Sequence, residues 1–126
     1  MLQDITNITL AKALDGTALR HRAIANNLAN VETPGYQRQD VVFESELRAA
    51  LDSSTLSTDT QMDQARAVSP NVIGDSVSPA RENGNNVDAD REMARLADNT
   101  IRYETILQCM NLKGDMLKTA IYEGKK

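Results

Sequence analysis

The last 40 residues of the chain carry the pattern that most restricts its fold. Apolar and small side chains recur there at alternating steps of four and three residues, for more than four heptads. A repeat of this length predicts one long helix whose apolar seam packs against another helix. The seam positions are Ala89, Met93, Leu96, Thr100, Tyr103, Leu107, Met110, Gly114, Leu117 and Ile121.

The start of this helix is marked by acidic residues. Asp88 is the predicted N-cap, and Asp90 and Glu92 lie in the first turn, where the helix dipole favours negative charge. The same residues could be taken for a cation site, but they lack the glycine and glutamate spacing of a calcium loop. Helix capping is therefore the favoured interpretation, with the preceding Asn83–Asn86 as a turn and Gly124 closing the far end.

A second repeat with the same steps covers residues 1–31 and predicts a helix there as well. Gly16 is tolerated inside it at a cost of about 1 kcal/mol relative to alanine. Pro34 disfavours helical backbone at Thr33, so the helix must end near Glu32. The repeat positions are Leu10, Leu14, Thr17, His21, Ile24, Leu28 and Val31.

The segment between the helices, residues 37–86, shows no sustained period. The run at 40–43 predicts a short strand, and residues 44–51 predict one or two helical turns. Residues 52–86 are rich in polar side chains and contain two prolines and two glycines, which favours a flexible loop, an excursion ordered by a partner, or a linker. The expected fold is mostly all-α: residues 1–36 and 87–126 form paired terminal helices with a coiled-coil-like core, and 37–86 are irregular apart from the short strand. Pairing within one chain, between chains, or both remains open.

Composition supports a chain that completes its core against partners. Leu, Ile, Val and Phe make up 27 of 126 residues, which is just above the level at which chains fail to fold alone. The net charge is −4 with scattered basic residues, so nucleic-acid binding is not expected. No apolar run reaches 18 residues, so no membrane span is expected. The first residues lack a basic stretch and a long apolar core, so no cleavable signal peptide is expected either.

Catalytic chemistry is not indicated either. Cys109 is the only cysteine and His21 the only histidine, so no disulfide within the chain, no cysteine zinc cluster and no nucleophile–base motif is expected. Met93, Met110 and Met116 could form an adaptable binding face, although methionine at helical spacing is more often core. We therefore predict no catalytic, cofactor-binding or metal-binding residues.

Three asparagines near the end of the first helix need a separate explanation. Asn26, Asn27 and Asn30 fall within five residues, although asparagine is a poor helix former. One interpretation is a frayed helix end. The other is that their amides bridge backbone groups of neighbouring chains, since each amide offers donors and an acceptor.

Residues 24–36 resemble the N-terminal signature of bacterial flagellar rod and hook proteins. The resemblance implies that the terminal helices form the inner core of an axial tube, and the short length fits the proximal rod rather than the hook or distal rod. Residues 36–44 and the C-terminal run from Tyr103 to Ile121 are similar to one proximal rod protein, with a sibling rod protein as the alternative. The assembly motif so implied comprises Asn26, Asn27, Asn30, Thr33, Pro34, Gly35 and Tyr36, expected to contact the next subunit.

The implied role is a structural subunit that helps join the MS ring to the drive shaft and transmits torque. The expected partners are other copies of the chain, other proximal rod proteins, the MS-ring protein, the FliE adaptor and the flagellar type III export apparatus. The expected location is the rod in the periplasm, reached without a cleaved signal peptide. The rival interpretations are a cytoplasmic helical adaptor or chaperone and a small cell-wall hydrolase. The subunits would pack through a seam formed by Leu10, Leu14, Ile24, Leu28, Val31, Met93, Leu96, Tyr103, Leu107, Met110, Leu117 and Ile121.

Overall fold

A computed structural model describes residues 4–52 and 55–125 of the chain. The first three residues of the predicted N-terminal helix, residues 53 and 54 of the middle segment, and the last lysine lie outside the described residues. The described chain is mostly helical with one small sheet, which confirms the expected fold class. The elements are α1 (Ile5–Ala29), β1 (Gln39–Val42), α2 (Glu44–Leu51), α3 (Thr58–Ala67), β2 (Asn71–Gly74) and α4 (Ala89–Glu123).

Helix α1 begins and ends at polar caps. The Oδ1 atom of Asp4 accepts a hydrogen bond from the backbone N–H of Asn7 at 2.9 Å. At the other end Asn30 leaves the helical conformation, and its side-chain amide donates to the carbonyl of Asn26 at 2.8 Å. The helix therefore ends at Ala29, three residues before the predicted end near Glu32, because Asn30 caps it.

Helix α4 has the predicted boundaries. Asp88 is its N-cap and accepts a hydrogen bond from the backbone N–H of Arg91, and Gly124 is its C-cap. The helix runs antiparallel to α1: Glu92, near its start, contacts Asn27 near the end of α1, and Lys113 contacts Asp4 at the beginning of α1. The terminal helices thus pair within one chain.

The middle segment contains more regular structure than its composition predicts. Strand β1 pairs antiparallel with β2, with Gln39 opposite Gly74 and Val42 opposite Asn71. Helix α2 covers the residues predicted as helical turns. Helix α3 was not predicted, because its ten residues are mostly polar; it begins at the N-cap Ser57 and buries Ala65 completely.

The buried apolar cluster lies between α1 and this middle segment. Phe43 is central to it, and its ring packs against Gly16, where an added Cβ would overlap the ring. No described residue of α4 belongs to the cluster. The middle segment, expected to be irregular apart from a short strand, thus supplies most of this cluster. The cluster comprises Ile8, Ala23, Val41, Phe43, Leu47, Ala50, Ala65 and Val68.

Candidate assembly site

The chain leaves α1 through a turn held by backbone and side-chain bonds. The backbone N–H of Thr33 donates to the carbonyl of Asn30 at 3.0 Å, and that of Tyr36 donates to the carbonyl of Thr33 at 3.3 Å. Gly35 has a φ of +71°, a conformation that glycine adopts without strain. The residues from Thr33 to Gly35 are exposed and Tyr36 is half-buried, so the motif presents its turn to the surface.

Asn27 is the buried centre of the motif. Its side-chain amide donates to the carbonyl of Gln39 at 2.8 Å and to the Glu92 carboxylate at 2.9 Å. Its Oδ1 atom accepts from the backbone N–H of Gln39 at 2.8 Å and from the Tyr36 hydroxyl at 3.3 Å. The side chain is completely buried, so Asn27 bridges backbone groups of its own chain and is not available to a neighbouring chain.

Asn26 and Asn30 occupy different environments from Asn27. Asn26 is exposed, and Asn30 is half-buried at the helix cap. The motif therefore separates into an inward residue that organises the chain and outward residues that remain candidates for contact with another subunit.

A second asparagine pair, before α4, fastens the same turn. The amide of Asn85 donates to the carbonyls of Asn30 and Thr33, both at 2.8 Å. Gly84, with a φ of +81°, brings its backbone so close to Gly35 that a Cβ would lie 3.3 Å from the Gly35 Cα. The sequence analysis treated these residues only as a turn. The sequence did contain a signal for this role. The asparagine and glycine residues at 83–86, directly before α4, resemble Asn30 and Gly35, which follow α1.

Beneath the turn lies a buried ion pair between Arg38 and Glu92. The Arg38 Nε atom donates to the Glu92 carboxylate at 2.6 Å, and its terminal nitrogens lie 2.8 Å from Asp40 and 3.2 Å from Asp75. Glu92 is completely buried and Arg38 is 6% exposed. Burial opposes the charge of Arg38, but the hydrogen bond and charge of Glu92, together with Asp40 and Asp75, outweigh burial and raise the pKa of the guanidinium. The pair is fully bonded, as a buried charge requires.

Glu92 therefore does not have the role that the sequence suggested. It was assigned to the solvated first turn of α4 together with Asp90, as a partner of the helix dipole. Asp90 is exposed, but Glu92 points inward because Arg38 and Asn27 supply its hydrogen bonds. Burial and then the nearby charge of Glu92 also raise the pKa of the Tyr36 hydroxyl.

Asp75 joins the middle segment to this cluster. Its carboxylate accepts from the Ser78 hydroxyl at 2.6 Å and from the backbone N–H groups of Val77 and Ser78. These bonds, the Ser78 hydroxyl first, hold the pKa of Asp75 well below its usual range. The carbonyl of Asp75 accepts from the Asn86 amide at 2.6 Å, and the Asn86 Oδ1 atom accepts from the Arg38 backbone N–H. We call Asn27, Tyr36, Arg38, Asp75, Asn86 and Glu92 the buried polar cluster.

The face of α4 that meets α1 is displaced by one residue from the predicted seam at four of its seven positions. Asn99, with 1% exposure, donates to the carbonyl of Thr17 at 2.9 Å, whereas Met93 is 56% exposed. The inward residues keep the steps of four and three but include polar members that an apolar pattern excludes. They are Glu92, Leu96, Asn99, Tyr103, Ile106, Met110 and Lys113.

The predicted seam residues fall into three groups by exposure. Ile24 is buried. Met93, Leu117 and Ile121 are exposed. The remaining seam residues are half-buried, namely Leu10, Leu14, Leu28, Val31, Leu96, Tyr103, Leu107 and Met110. The structure thus leaves the last part of the seam on the surface.

Helix α4 continues past the beginning of α1, and we call its residues 114–123 the overhang. Among the described residues, Lys113 is the last residue of α4 that bonds to the beginning of α1, through the Asp4 carboxylate at 2.6 Å. That bond lowers the pKa of Asp4. Beyond it, the exposed fractions are 62% for Met116, 57% for Ile121 and 74% for Tyr122. These three large apolar side chains are therefore mostly accessible to solvent.

The described residues offer little chemistry of other kinds. They include no group of three or more histidine, cysteine, aspartate or glutamate side chains placed to hold a metal ion. His21 and Cys109 are both exposed, on α1 and α4 respectively. No helix in the described part of the chain is long and apolar enough to cross a membrane.

Comparison with known proteins identifies the class. Residues 9–37 match the family model described as Flagella basal body rod protein, a span that covers most of α1 and the turn built from Asn27 to Tyr36. The class is thus that of the basal body rod proteins.

Longer matches define the family within that class. The chain is 33% identical over 119 residues to the flagellar basal body rod protein FlgB of Bacillus subtilis, with 92% of each chain covered. It is 36% identical over 121 residues to FlgB of Escherichia coli, covering 83% of this chain and 86% of the relative. FlgB of Cereibacter sphaeroides is 36% identical over 116 residues, covering 88% and 89%. The chain belongs to the FlgB family of flagellar basal body rod proteins.

Proposed function

We propose that the chain is a non-catalytic structural subunit of the flagellar proximal rod, which helps join the MS ring to the drive shaft and transmits torque. The similarity to FlgB proteins over most of the chain supports this role. The observation that carries the mechanism is the overhang. There the four–three repeat of α4 continues through Leu117 and Ile121, beyond the first residue of α1. Both side chains are exposed.

The overhang suggests how such a subunit transmits load. The first part of the repeat in α4 packs against a helix, α1. Because the same repeat continues into the overhang, we expect the overhang to pack against another helix as well. Many subunit-to-subunit helix contacts would share the torque, so no single residue carries it. The exposed part of the motif, Asn26 and residues 33–35, is the second proposed contact with a neighbouring subunit.

The proposed neighbours are other copies of the chain, other proximal rod proteins, the MS-ring protein and the FliE adaptor. The proposed location is the rod within the periplasm, reached through the flagellar type III export apparatus without cleavage of a signal peptide. We assign no cofactor.

Deletion of the gene tests the role directly. Electron microscopy of basal bodies from the deletion strain should show membrane rings without a rod, in cells that are not motile. A plasmid copy of the wild-type gene should restore both rod and motility. Complete rods and hooks in the deletion strain would refute the proposal, as would recovery of the protein only in the cytosol of flagellated cells.

A further inference from the structure

The loop before α4 contains the only Asn–Gly pair of the sequence, Asn83–Gly84. Both residues are exposed. An asparagine that precedes glycine can lose its side-chain amide by a reaction within the chain, because glycine has no Cβ to keep the backbone nitrogen away from that amide. The Gly84 nitrogen bonds to the Cγ atom of Asn83, the Cγ–Nδ2 bond breaks, and the amide leaves as ammonia with the Gly84 proton. A water molecule then opens the cyclic imide at either carbonyl, which gives aspartate or isoaspartate.

The folded loop opposes the first step of this reaction. The backbone N–H of Gly84 donates to the carbonyl of Arg81 at 2.8 Å, and the Arg81 N–H donates to the carbonyl of Asn85 at 2.8 Å. The Oδ1 atom of Asn83 accepts from the backbone N–H of Asn85 at 3.1 Å. Attack on Cγ requires the Gly84 nitrogen to give up its bonded proton and to turn toward the side chain. The loop must therefore open before the reaction proceeds, whereas in the unfolded chain these bonds are absent.

The same loop holds the turn that follows α1. The carbonyl of Asn83 accepts from the backbone N–H of Gly35 at 2.9 Å, and the backbone of Gly84 lies against that of Gly35. Isoaspartate directs the main chain through the former side chain and lengthens it by a carbon atom. The carbonyl that accepts from Gly35 then no longer belongs to the main chain, so the loop does not hold it in place. Aspartate, in contrast, leaves the backbone unchanged and keeps an oxygen for the Asn85 N–H.

We propose that Asn83–Gly84 is a deamidation site of the unfolded chain, that folding protects it, and that isoaspartate formed there releases the turn at residues 33–36 from the loop at 83–86. The released turn includes the exposed part of the motif, so the modification alters the surface proposed to contact a neighbouring subunit. The chemistry is a property of a single chain and does not depend on the rod role.

Peptide mass spectrometry of the full-length protein tests the site and its protection. The protein is incubated at mildly alkaline pH, either folded in buffer or unfolded in guanidinium chloride, and the conversion of amide to acid is followed with time. We expect Asn83 to convert at least about tenfold faster in the unfolded chain, because the folded loop reacts only when it opens. Equal rates in the two states would overturn the protection. Absence of conversion in the unfolded chain would overturn the site.

Two controls show that the reaction belongs to the Asn–Gly pair. Asn111 is also exposed, but Leu112 follows it, and the leucine side chain hinders the backbone nitrogen. Asn111 should therefore convert much more slowly than Asn83 in the same unfolded sample. The variant Asn83→Gln should not convert at a comparable rate, because the longer side chain cyclises less readily. If Asn111 converted as fast as Asn83, the pair would have no special reactivity.

Hydrogen–deuterium exchange tests the release of the turn. The fraction that carries isoaspartate is isolated after unfolding and ageing, refolded, and compared with Asn83→Asp, which has the same added charge on an unchanged backbone. We expect the Gly35 N–H to exchange at least about tenfold faster in the isoaspartate form than in Asn83→Asp, while peptides of the buried apolar cluster around Ala65 exchange alike. Equal exchange at Gly35, or equally accelerated exchange at both places, would overturn the local release.

Discussion

The two parts of α4 differ in what their side chains face. The part up to Lys113 lies along α1, and its inward face includes the buried polar residues Glu92 and Asn99. The overhang lies along nothing in the described chain, yet it exposes Met116 and Ile121. The covered part holds buried polar contacts with α1, although Met93 and Ile101 on its outer side are 56% and 64% exposed. Exposed apolar side chains are therefore common to both parts, and the buried polar contacts are what distinguishes the covered part.

The polar contacts also set the register of the two helices. Glu92 meets Asn27, Asn99 meets the carbonyl of Thr17, and Lys113 meets Asp4. A shift of one heptad would separate all three pairs and leave Glu92 buried without its partner. Apolar residues spaced at four and three would tolerate the same shift far better, which is why single polar residues specify register in paired helices.

Removing Glu92 should have the largest effect on the covered part of α4. Glu92→Ala leaves the Arg38 guanidinium buried without its main partner, so we expect the free energy of unfolding to fall by about 3–5 kcal/mol. Urea unfolding followed by circular dichroism measures it. The control is Glu104→Ala on the exposed side of α4, with a change within about 0.5 kcal/mol. Equal effects for the two variants would show that the buried polar cluster does not stabilise the fold.

A smaller loss is expected from Asn27, and Asn26 next to it is the matched control. Asn27→Ala removes four hydrogen bonds and leaves the backbone of Gln39 and the Glu92 carboxylate less well satisfied. We expect a loss of about 2–3 kcal/mol in unfolding free energy. Asn26→Ala should stay within about 0.5 kcal/mol, because Asn26 is exposed. If Asn26→Ala lowered the unfolding free energy more than Asn27→Ala, Asn26 and not Asn27 would be the residue of the motif that stabilises the fold.

The two terminal helices, α2 and the caps of α4 were predictable from the sequence, because apolar period and capping chemistry are local. Asp88 and the range of α2 illustrate this. The inward face of α4 was not predictable, because it includes the polar residues Glu92 and Asn99. A polar residue on a helix is predicted to face solvent unless its hydrogen-bond partners are known. Arg38 and Asn27 lie 54 and 65 residues from Glu92. Helix α3 was missed for a related reason, since it buries only Ala65.

Glycines in the two terminal helices sharpen the contrast between a helix that is packed and one that is not. Gly16→Ala should gain about 1 kcal/mol from helix propensity, but its methyl group would overlap the Phe43 ring. We expect a net loss of about 1–2 kcal/mol from this overpacking. Gly114→Ala meets nothing within 4 Å and should stabilise the monomer by up to about 1 kcal/mol. Thermal unfolding of both variants measures these changes in stability. A higher Tm for Gly16→Ala would contradict the close packing of Phe43 on Gly16.

The pH dependence of stability tests the link between the middle segment and the buried polar cluster. The pKa of Asp75 is lowered from the usual 3.8. As the pH falls below that value, the unfolded chain takes up the proton first and stability decreases. Asp75→Asn should therefore flatten the decline in Tm between neutral pH and about pH 2. Ser78→Ala, which removes the strongest donor, should flatten it less. An unchanged acid profile in both variants would show that Asp75 does not couple to folding.

The smallest effect on folding should accompany the largest effect on assembly. Ile121→Asp places a charge on the overhang, where the side chain is 57% exposed, so the unfolding free energy should change by no more than about 0.5 kcal/mol. Incorporation into basal bodies, measured by immunoblot of isolated particles, should fall sharply because the charge would be buried against a neighbouring helix. Ile121 separates the two roles better than Leu107, which is half-buried in the chain itself and would weaken folding and assembly together. Normal incorporation of Ile121→Asp would mean that the overhang is not an interface, and the apolar repeat beyond Lys113 would lose its explanation.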